Sequence, residues 1–198
     1  MDTMPLPHYH GEEPSHTKVI RALLDRQTRV IAAIDGRCGA GKSTLAAQLQ
    51  AQLSCRVFHM DDFFLRPEQR TETRLAEPGG NVDRERFYSE VLEPLTRGQA
   101  VAYRRYDCQT QTLGPLIKPA PKALNIVEGA YSMHPLLADS YDLSAFVRIP
   151  PEVQRERILA RNGPEWGEMF FTRWIPLEQR YFEVMDPAGR CDVILEVE

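Results

Sequence analysis

Residues 36–43 read Gly-Arg-Cys-Gly-Ala-Gly-Lys-Ser, a full match to the pattern G-x-x-x-x-G-K-[ST]. Nothing else in the chain constrains the fold as tightly, because this loop works in one setting only. It must leave a buried strand and enter the first turn of a helix. Both flanks are present. Arg29-Val-Ile-Ala-Ala-Ile-Asp35 is apolar and partly β-branched, as a buried strand requires. Thr44-Leu-Ala-Ala-Gln-Leu-Gln-Ala-Gln-Leu53 sets Leu45, Leu49 and Leu53 on one helical face. Converging backbone N–H groups and the positive end of the helix dipole then make an anion site. Gly36, Arg37, Cys38, Gly39, Ala40, Gly41, Lys42, Ser43 and Thr44 are the candidate phosphate-binding residues. Lys42 would reach the β- and γ-phosphates of a nucleotide, and the Ser43 hydroxyl would hold Mg²⁺.

Further along, apolar strand-like runs alternate with helical spacing. Cys55 to Met60 reads as a second strand ending at Asp61-Asp62, Ala123 to Val127 as one ending at Glu128-Gly129, and Leu143 to Ile149 as another. Asp192 to Val197 closes the series, and Ala100–Tyr106 with Leu113–Ile117 reads as a hairpin. Helices are expected over Ser15–Arg26 with Val19, Leu23 and Leu24 inward, Asp83–Leu95, from Pro151, and about Met169–Val184. This alternation predicts an α/β fold: a mostly parallel sheet with helices on both faces, in three layers. Residues 1–14, with three prolines and His8-x-His10, read as a flexible arm ahead of a single domain over residues 15–198. Residues 65–82 are polar and aperiodic and are expected to form a lid-like loop on the substrate side.

Bulk properties exclude several functions. A net charge of −4 argues against a nucleic-acid surface. No apolar run approaches membrane-spanning length, and the first ten residues lack a signal peptide's basic flank and apolar centre. Cys38, Cys55, Cys108 and Cys191 form no C-x-x-C pair, so reduced thiols and a cytoplasmic location are expected.

Ligands of an open α/β sheet bind beyond the carboxyl ends of its strands. Asp35-Gly36, Asp61-Asp62 and Glu128-Gly129 all stand at such ends. Phosphoryl transfer needs a hydroxyl and a carboxylate for Mg²⁺ and a residue that orients the attacking hydroxyl. Ser43, Glu128 and Asp61 supply these parts.

With those residues assembled, the chain resembles the uridine kinase and phosphoribulokinase group of P-loop small-molecule kinases over most of its length after residue 29. Asp35-Gly36 leads the phosphate loop as in that group. Asp61-Asp62-Phe63-Phe64 is similar to its D-S-F-Y segment, which implies Asp61 as catalytic base. Asn81-Val82-Asp83 is similar to N-F-D, which implies that Asp83 binds a ribose diol, and Val127-Glu128-Gly129 resembles the strand end whose glutamate assists the metal. Tyr106-Asp107-Cys108-Gln109-Thr110-Gln111 stands where uridine kinases carry Y-D-F-x-x-H. Gln111 replaces the base-reading histidine and Leu113 an arginine. Residues 151–168 resemble the arginine-bearing lid, with Arg157 and Arg161 on one helix face as phosphate clamps; Arg173 is a weaker candidate.

The resemblance implies ATP and Mg²⁺ acting on a small-molecule acceptor, with a nucleoside such as uridine first in line. Pantothenate or a sugar phosphate is the alternative acceptor, and a regulatory ATPase module the alternative class. No N-K-x-D guanine-reading segment occurs. His59 is expected as a partly buried strand histidine, and His134 has no evident partner. Trp166, Phe170, Phe171 and Trp174 are expected to form a core seam or an oligomer contact.

Overall fold

The computed structural model describes residues 15–197, with side chains from residue 20 onward. The arm expected over residues 1–14 and the inward placement of Val19 lie outside these limits. The central strand β1 (Val30–Gly36) is buried at every position. A strand covered on both faces needs an unbroken apolar run, which Val30 to Ile34 supplies. α1 (Ser15–Leu24) precedes it, and α2 (Lys42–Gln52) leaves the glycine-rich loop at its end.

β2 (Cys55–His59) lies at one edge of the sheet. β5 (Leu124–Glu128) separates it from β1, while β6 (Leu143–Arg148) and β7 (Val193–Glu196) lie on the other side. All four pairings are parallel, in the order β2-β5-β1-β6-β7. β3 (Tyr103–Asp107) and β4 (Thr112–Ile117) form a separate antiparallel hairpin.

Strand alternation sends neighbouring side chains into two cores. Val30, Ala32 and Ile34 join Ala46, Leu49 and Leu53 of the α2 segment, and Leu23 and Leu24 of α1 pack against them. Ile31 joins Phe58 and Val127 in the opposite core. There it meets α4 (Arg84–Phe87) and α5 (Glu93–Thr96), which run on through a π-helical turn at Tyr88–Leu92. Also on that face are α6 (Pro135–Ala138) and Tyr181 of a C-terminal helix. Each fully buried Leu, Ile or Phe side chain contributes about 1.5–3 kcal/mol. Exposed ion pairs give about 0–1 kcal/mol, so the two cores carry the stability.

Two segments differ from expectation. Residues 65–82 are folded rather than loop-like: a turn at Pro67–Gln69 leads into α3 (Glu72–Ala76), which Thr71 caps by accepting from the Arg74 N–H at 3.1 Å. Arg74 then ties the segment together through Gly80 O at 3.0 Å, Val82 O at 2.8 Å and the Glu85 carboxylate at 2.7 Å. These bonds join positions six to eleven residues apart, which periodicity does not reveal.

The second difference is in α7 (Pro151–Met169), which breaks at Gly163 (φ 74°, ψ 172°) just before Pro164. It continues through a π-helical turn at Phe170–Trp174 into α8 (Ile175–Met185) and the short α9 (Pro187–Arg190). Among the described residues no helix is long and apolar enough to cross a membrane.

Candidate active site

The loop after β1 has the shape its glycines permit. Gly36 adopts φ 142°, and a Cβ there would lie 2.3 Å from Val147 O, so only glycine fits between the loop and β6. Gly41 enters α2 from the left-handed region (φ 95°). The Lys42 ammonium is buried and donates to Gly36 O and Arg37 O, both at 2.8 Å. Ser43 and Thr44 open to solvent at the helix start.

The C-terminal helices hold this loop from behind. Asp35 is fully buried and accepts from Gly36 N–H at 2.6 Å, Met133 N–H at 2.8 Å and the Tyr181 hydroxyl at 2.7 Å. Burial pushes its carboxyl above the usual aspartate range, and those three donors oppose the shift. Glu178, also buried, accepts from Cys38 N–H through both oxygens at 3.0 and 3.1 Å. Gln179 accepts from Arg37 at 2.6 Å, and Gln154 of α7 donates to Cys38 O at 3.0 Å. Burial raises the Cys38 thiol to about 12, which keeps it protonated and inert. These supports were not read from the sequence. Glu178 and Tyr181, three apart on one buried helix face, were the signal available.

Register explains the next cluster. His59 and Glu128 are paired positions on neighbouring parallel strands, and Glu128 also faces Ile34 of β1. The buried Glu128 Oε1 therefore meets both the Ser43 hydroxyl at 3.0 Å and His59 Nδ1 at 2.5 Å. That hydrogen bond holds the His59 pKa above its ordinary value. A hydroxyl and a carboxylate converging at the helix start suit Mg²⁺, a hard cation that takes few protein oxygens and completes its shell with phosphate and water. Among the described residues no group of three or more His, Cys, Asp or Glu gathers for a metal.

Asp61 follows β2 on a single 3₁₀ turn, Met60–Phe63, and keeps an exposed surface. Protein crowds its remaining sides, and this desolvation pushes its carboxyl above the usual range. Lys42 opposes the shift and Glu128 adds to it, so Asp61 shares one electrostatic neighbourhood with the loop lysine and the metal candidate. Asp62 turns aside to pair with Arg105 at 3.0 Å.

The acceptor candidates are more engaged. Asp83 is buried; it caps α4 by accepting from Arg86 N–H at 3.2 Å and accepts from Gln69 at 2.8 Å. Beside it a hollow of about 330 Å³ is lined by Leu65, Gln69, Arg74, Asp83 and Glu85. Tyr106 is buried in the hairpin with its hydroxyl accepting from Arg70 at 3.0 Å. Gln111 stands at the exposed hairpin tip with φ 57°.

The two arginines proposed as clamps diverge. Arg157 lies over the phosphate loop, its guanidinium 4.0 Å from where a Cβ on Gly41 would be. Arg161 instead stacks on Phe170, as Arg155 does on Phe171 and Arg173 on Trp174. Trp166 is 64% exposed and none of residues 170–174 is buried, so these aromatics are not a core seam. Phe170, Phe171 and Trp174 form a platform for the arginines, and Trp174 also approaches Phe64 at 6.4 Å.

No protein-family model matches the chain. Solved structures do. One described as a possible uridine kinase from Bacillus stearothermophilus superposes with a TM-score of 0.68 at 22% identity, covering 90% of this chain and 96% of that one. A candidate fructose transport system kinase from Silicibacter sp. gives 0.59 at 21%, over 92% and 99%. YFH7 from Saccharomyces cerevisiae, a P-loop kinase candidate with a circular permutation, gives 0.62 at 14%, over 91% and 97%. The fold is therefore that of P-loop kinases, as the sequence resemblance implied.

Proposed function

We propose that this chain is a kinase that transfers the γ-phosphoryl group of ATP to a hydroxyl of a small metabolite. One observation carries the reading: an accessible carboxylate, Asp61, in the combined field of Lys42 and Glu128 at the strand ends beside the phosphate loop. A carboxylate there can take the proton of an attacking hydroxyl, the part that an acceptor-dependent transferase needs.

In this reading the loop amides and Lys42 bind the donor's phosphates, and Lys42 exchanges its two loop carbonyls for phosphate oxygens. Ser43 and Glu128 would hold Mg²⁺, which would offset negative charge on the donor's phosphates. Asp61 accepts the proton of the acceptor hydroxyl as its oxygen bonds to the γ-phosphorus. The bond to the bridging oxygen breaks, and ADP departs with that electron pair. Arg157, poised over the loop, offsets charge on the transferring group.

The neighbours are described as a possible uridine kinase and a candidate fructose transport system kinase, so the shared fold supports the reaction class more than any acceptor. The resemblance puts a nucleoside first, with Asp83 on the ribose diol. Asp83 already accepts from Gln69 and the Arg86 N–H but also lines the adjoining hollow, while Gln111 stands at the exposed hairpin tip.

The test is an ADP-release screen across nucleosides and other small alcohols, with Asp61→Asn as control. Acceptor-dependent ADP release that the variant loses supports the reading; acceptor-independent hydrolysis unaffected by the variant overturns it. Because Asp61 works ionised and its carboxyl is raised, kcat/KM should fall as pH drops through that raised pKa.

A further inference from the structure

Five arginines lie between residues 61 and 87: Arg66, Arg70, Arg74, Arg84 and Arg86. Four have carboxylate partners. Arg66 pairs with Glu68 at 3.3 Å, Arg74 with Glu85 at 2.7 Å, Arg84 with Glu77 and Glu85, and Arg86 with Glu90 at 3.2 Å and Asp83 at 3.6 Å. Arg70 is the exception: among the described residues it has no carboxylate within ion-pair distance.

Its guanidinium is nevertheless fixed. Nε donates to Leu65 O at 3.0 Å, one Nη donates to the Tyr106 hydroxyl at 3.0 Å, and the group lies over the Tyr106 ring at 5.8 Å. Two neutral acceptors and a ring orient a cation without neutralising it. The side chain is half-buried, so water screens it only in part. A chain that pairs the four arginines around it and leaves this one bare keeps a planar fork suited to a carboxylate or phosphate.

Its position says what that anion belongs to. Arg70 follows the Asp61 turn by nine residues and is anchored to Tyr106, so it bridges the two segments that flank the acceptor side. The adjacent Gln69 reaches Asp83. Cys108, exposed beyond Tyr106, feels the charges of both Arg70 and Asp61.

We propose that the acceptor is an alcohol carrying a separate anionic group, a carboxylate or a phosphate monoester, and that Arg70 binds that group while Asp61 faces the hydroxyl. This rests on the kinase reading above and puts an anionic acceptor in place of the neutral nucleoside that the resemblance implies. Arg70 is then the residue that excludes neutral alcohols, because a neutral acceptor would leave it uncompensated.

Matched probes test the charge. Ribose and ribose 5-phosphate form one pair, glycerol and glycerate the other, so the two arms separate phosphate from carboxylate. Binding is measured calorimetrically on ADP-saturated protein, and turnover by ADP release with ATP. The charged member of at least one pair should bind about tenfold or more tighter than its neutral partner. Arg70→Ala should remove that advantage and raise the charged acceptor's KM about tenfold or more, with the KM for ATP unchanged. Arg70→Lys should restore part of it, since a point charge replaces the fork. Neutral members binding as well as charged ones, or Arg70→Ala leaving the difference intact, would overturn the proposal alone. Acceptor-independent ATP hydrolysis would overturn the kinase reading and this inference together.

Discussion

At the phosphate end of the cleft the backbone does the recognising. Gly36 is wedged against Val147 O, Lys42 is folded onto its own loop, and the carboxylates behind them hold main-chain N–H groups. At the proposed acceptor end side chains hold one another instead: Arg74 on Glu85, Gln69 on Asp83, Arg70 on Tyr106. Backbone recognition fixes a chemistry common to all nucleotides, whereas side-chain recognition can vary with the acceptor while the fold stays the same. Burial disfavours charge at both ends: it raises the carboxyls of Asp35, Asp61 and Glu178 around the loop and lowers the pKa of His134 on the other side.

In the proposed reaction Asp61 belongs to the acceptor half although it stands beside the loop, and its removal should show the largest effect. Asp61→Asn keeps the shape and removes the base, so turnover should fall about 10²–10⁴-fold. Nucleotide affinity, measured by titration with ADP, should stay within about twofold, because no recognition of phosphate passes through this side chain. Parallel loss of ADP binding would erase the division between the two ends.

Acid should expose the acceptor end through His134. Its Nδ1 accepts from Leu136 N–H at 3.2 Å as the cap of α6, which requires that nitrogen unprotonated. Burial and the charge of Arg84 lower its pKa from 6.5 to about 4, and the ring is 9% exposed. The unfolded chain therefore binds this proton first. Stability should fall as pH drops from 6.5 towards 4, by up to about 3 kcal/mol from this group. Denaturant unfolding of wild type against His134→Asn checks it, since asparagine keeps a capping oxygen and does not titrate. Equal pH slopes for the two proteins would remove His134 from the account.

The fold was legible because its signals are local. The strand before the loop, the loop spacing and the helix after it are contiguous in sequence, and the acidic strand ends follow from one topological rule. What escaped was long-range or masked by composition. Residues 65–82 looked like a loop because α3 is too short for periodicity, and Arg74 holds the segment by bonds the sequence cannot display. Glu178 and Tyr181 looked like ordinary polar positions of an amphipathic helix; only the 140- and 146-residue returns to Cys38 and Asp35 show their use. His59 was read as a strand residue without its partner Glu128, because parallel register is set by the whole sheet.

The arginine pair offers a finer division. Arg157 overhangs the loop while Arg161 rests on Phe170, so the two should not be equivalent. Arg157→Ala should slow turnover about tenfold or more, and Arg161→Ala by less, with single-turnover rates separating chemistry from release. Equal losses would mean that Arg161 leaves its ring during the reaction.

The smallest effect tests the phosphate end by the opposite sign to His134. Tyr181→Phe deletes one donor to Asp35 Oδ2 and leaves the Met133 and Gly36 N–H groups in place, so about 1 kcal/mol of stability should be lost at neutral pH. Because burial already holds the Asp35 carboxyl above its unfolded value, its charged form opposes folding at neutral pH, and the folded chain takes up this proton before the unfolded chain does. The Tyr181 hydroxyl reduces that opposition by stabilising the charge, so its loss raises the carboxyl further. The deficit of Tyr181→Phe should therefore be greatest at neutral pH and shrink as pH falls through the raised Asp35 pKa, whereas the His134 contribution worsens over acidification. Unfolding free energies of the variant and wild type across that range decide it: a deficit that does not change with pH would mean that the Tyr181 hydroxyl contributes without stabilising the buried charge beneath it.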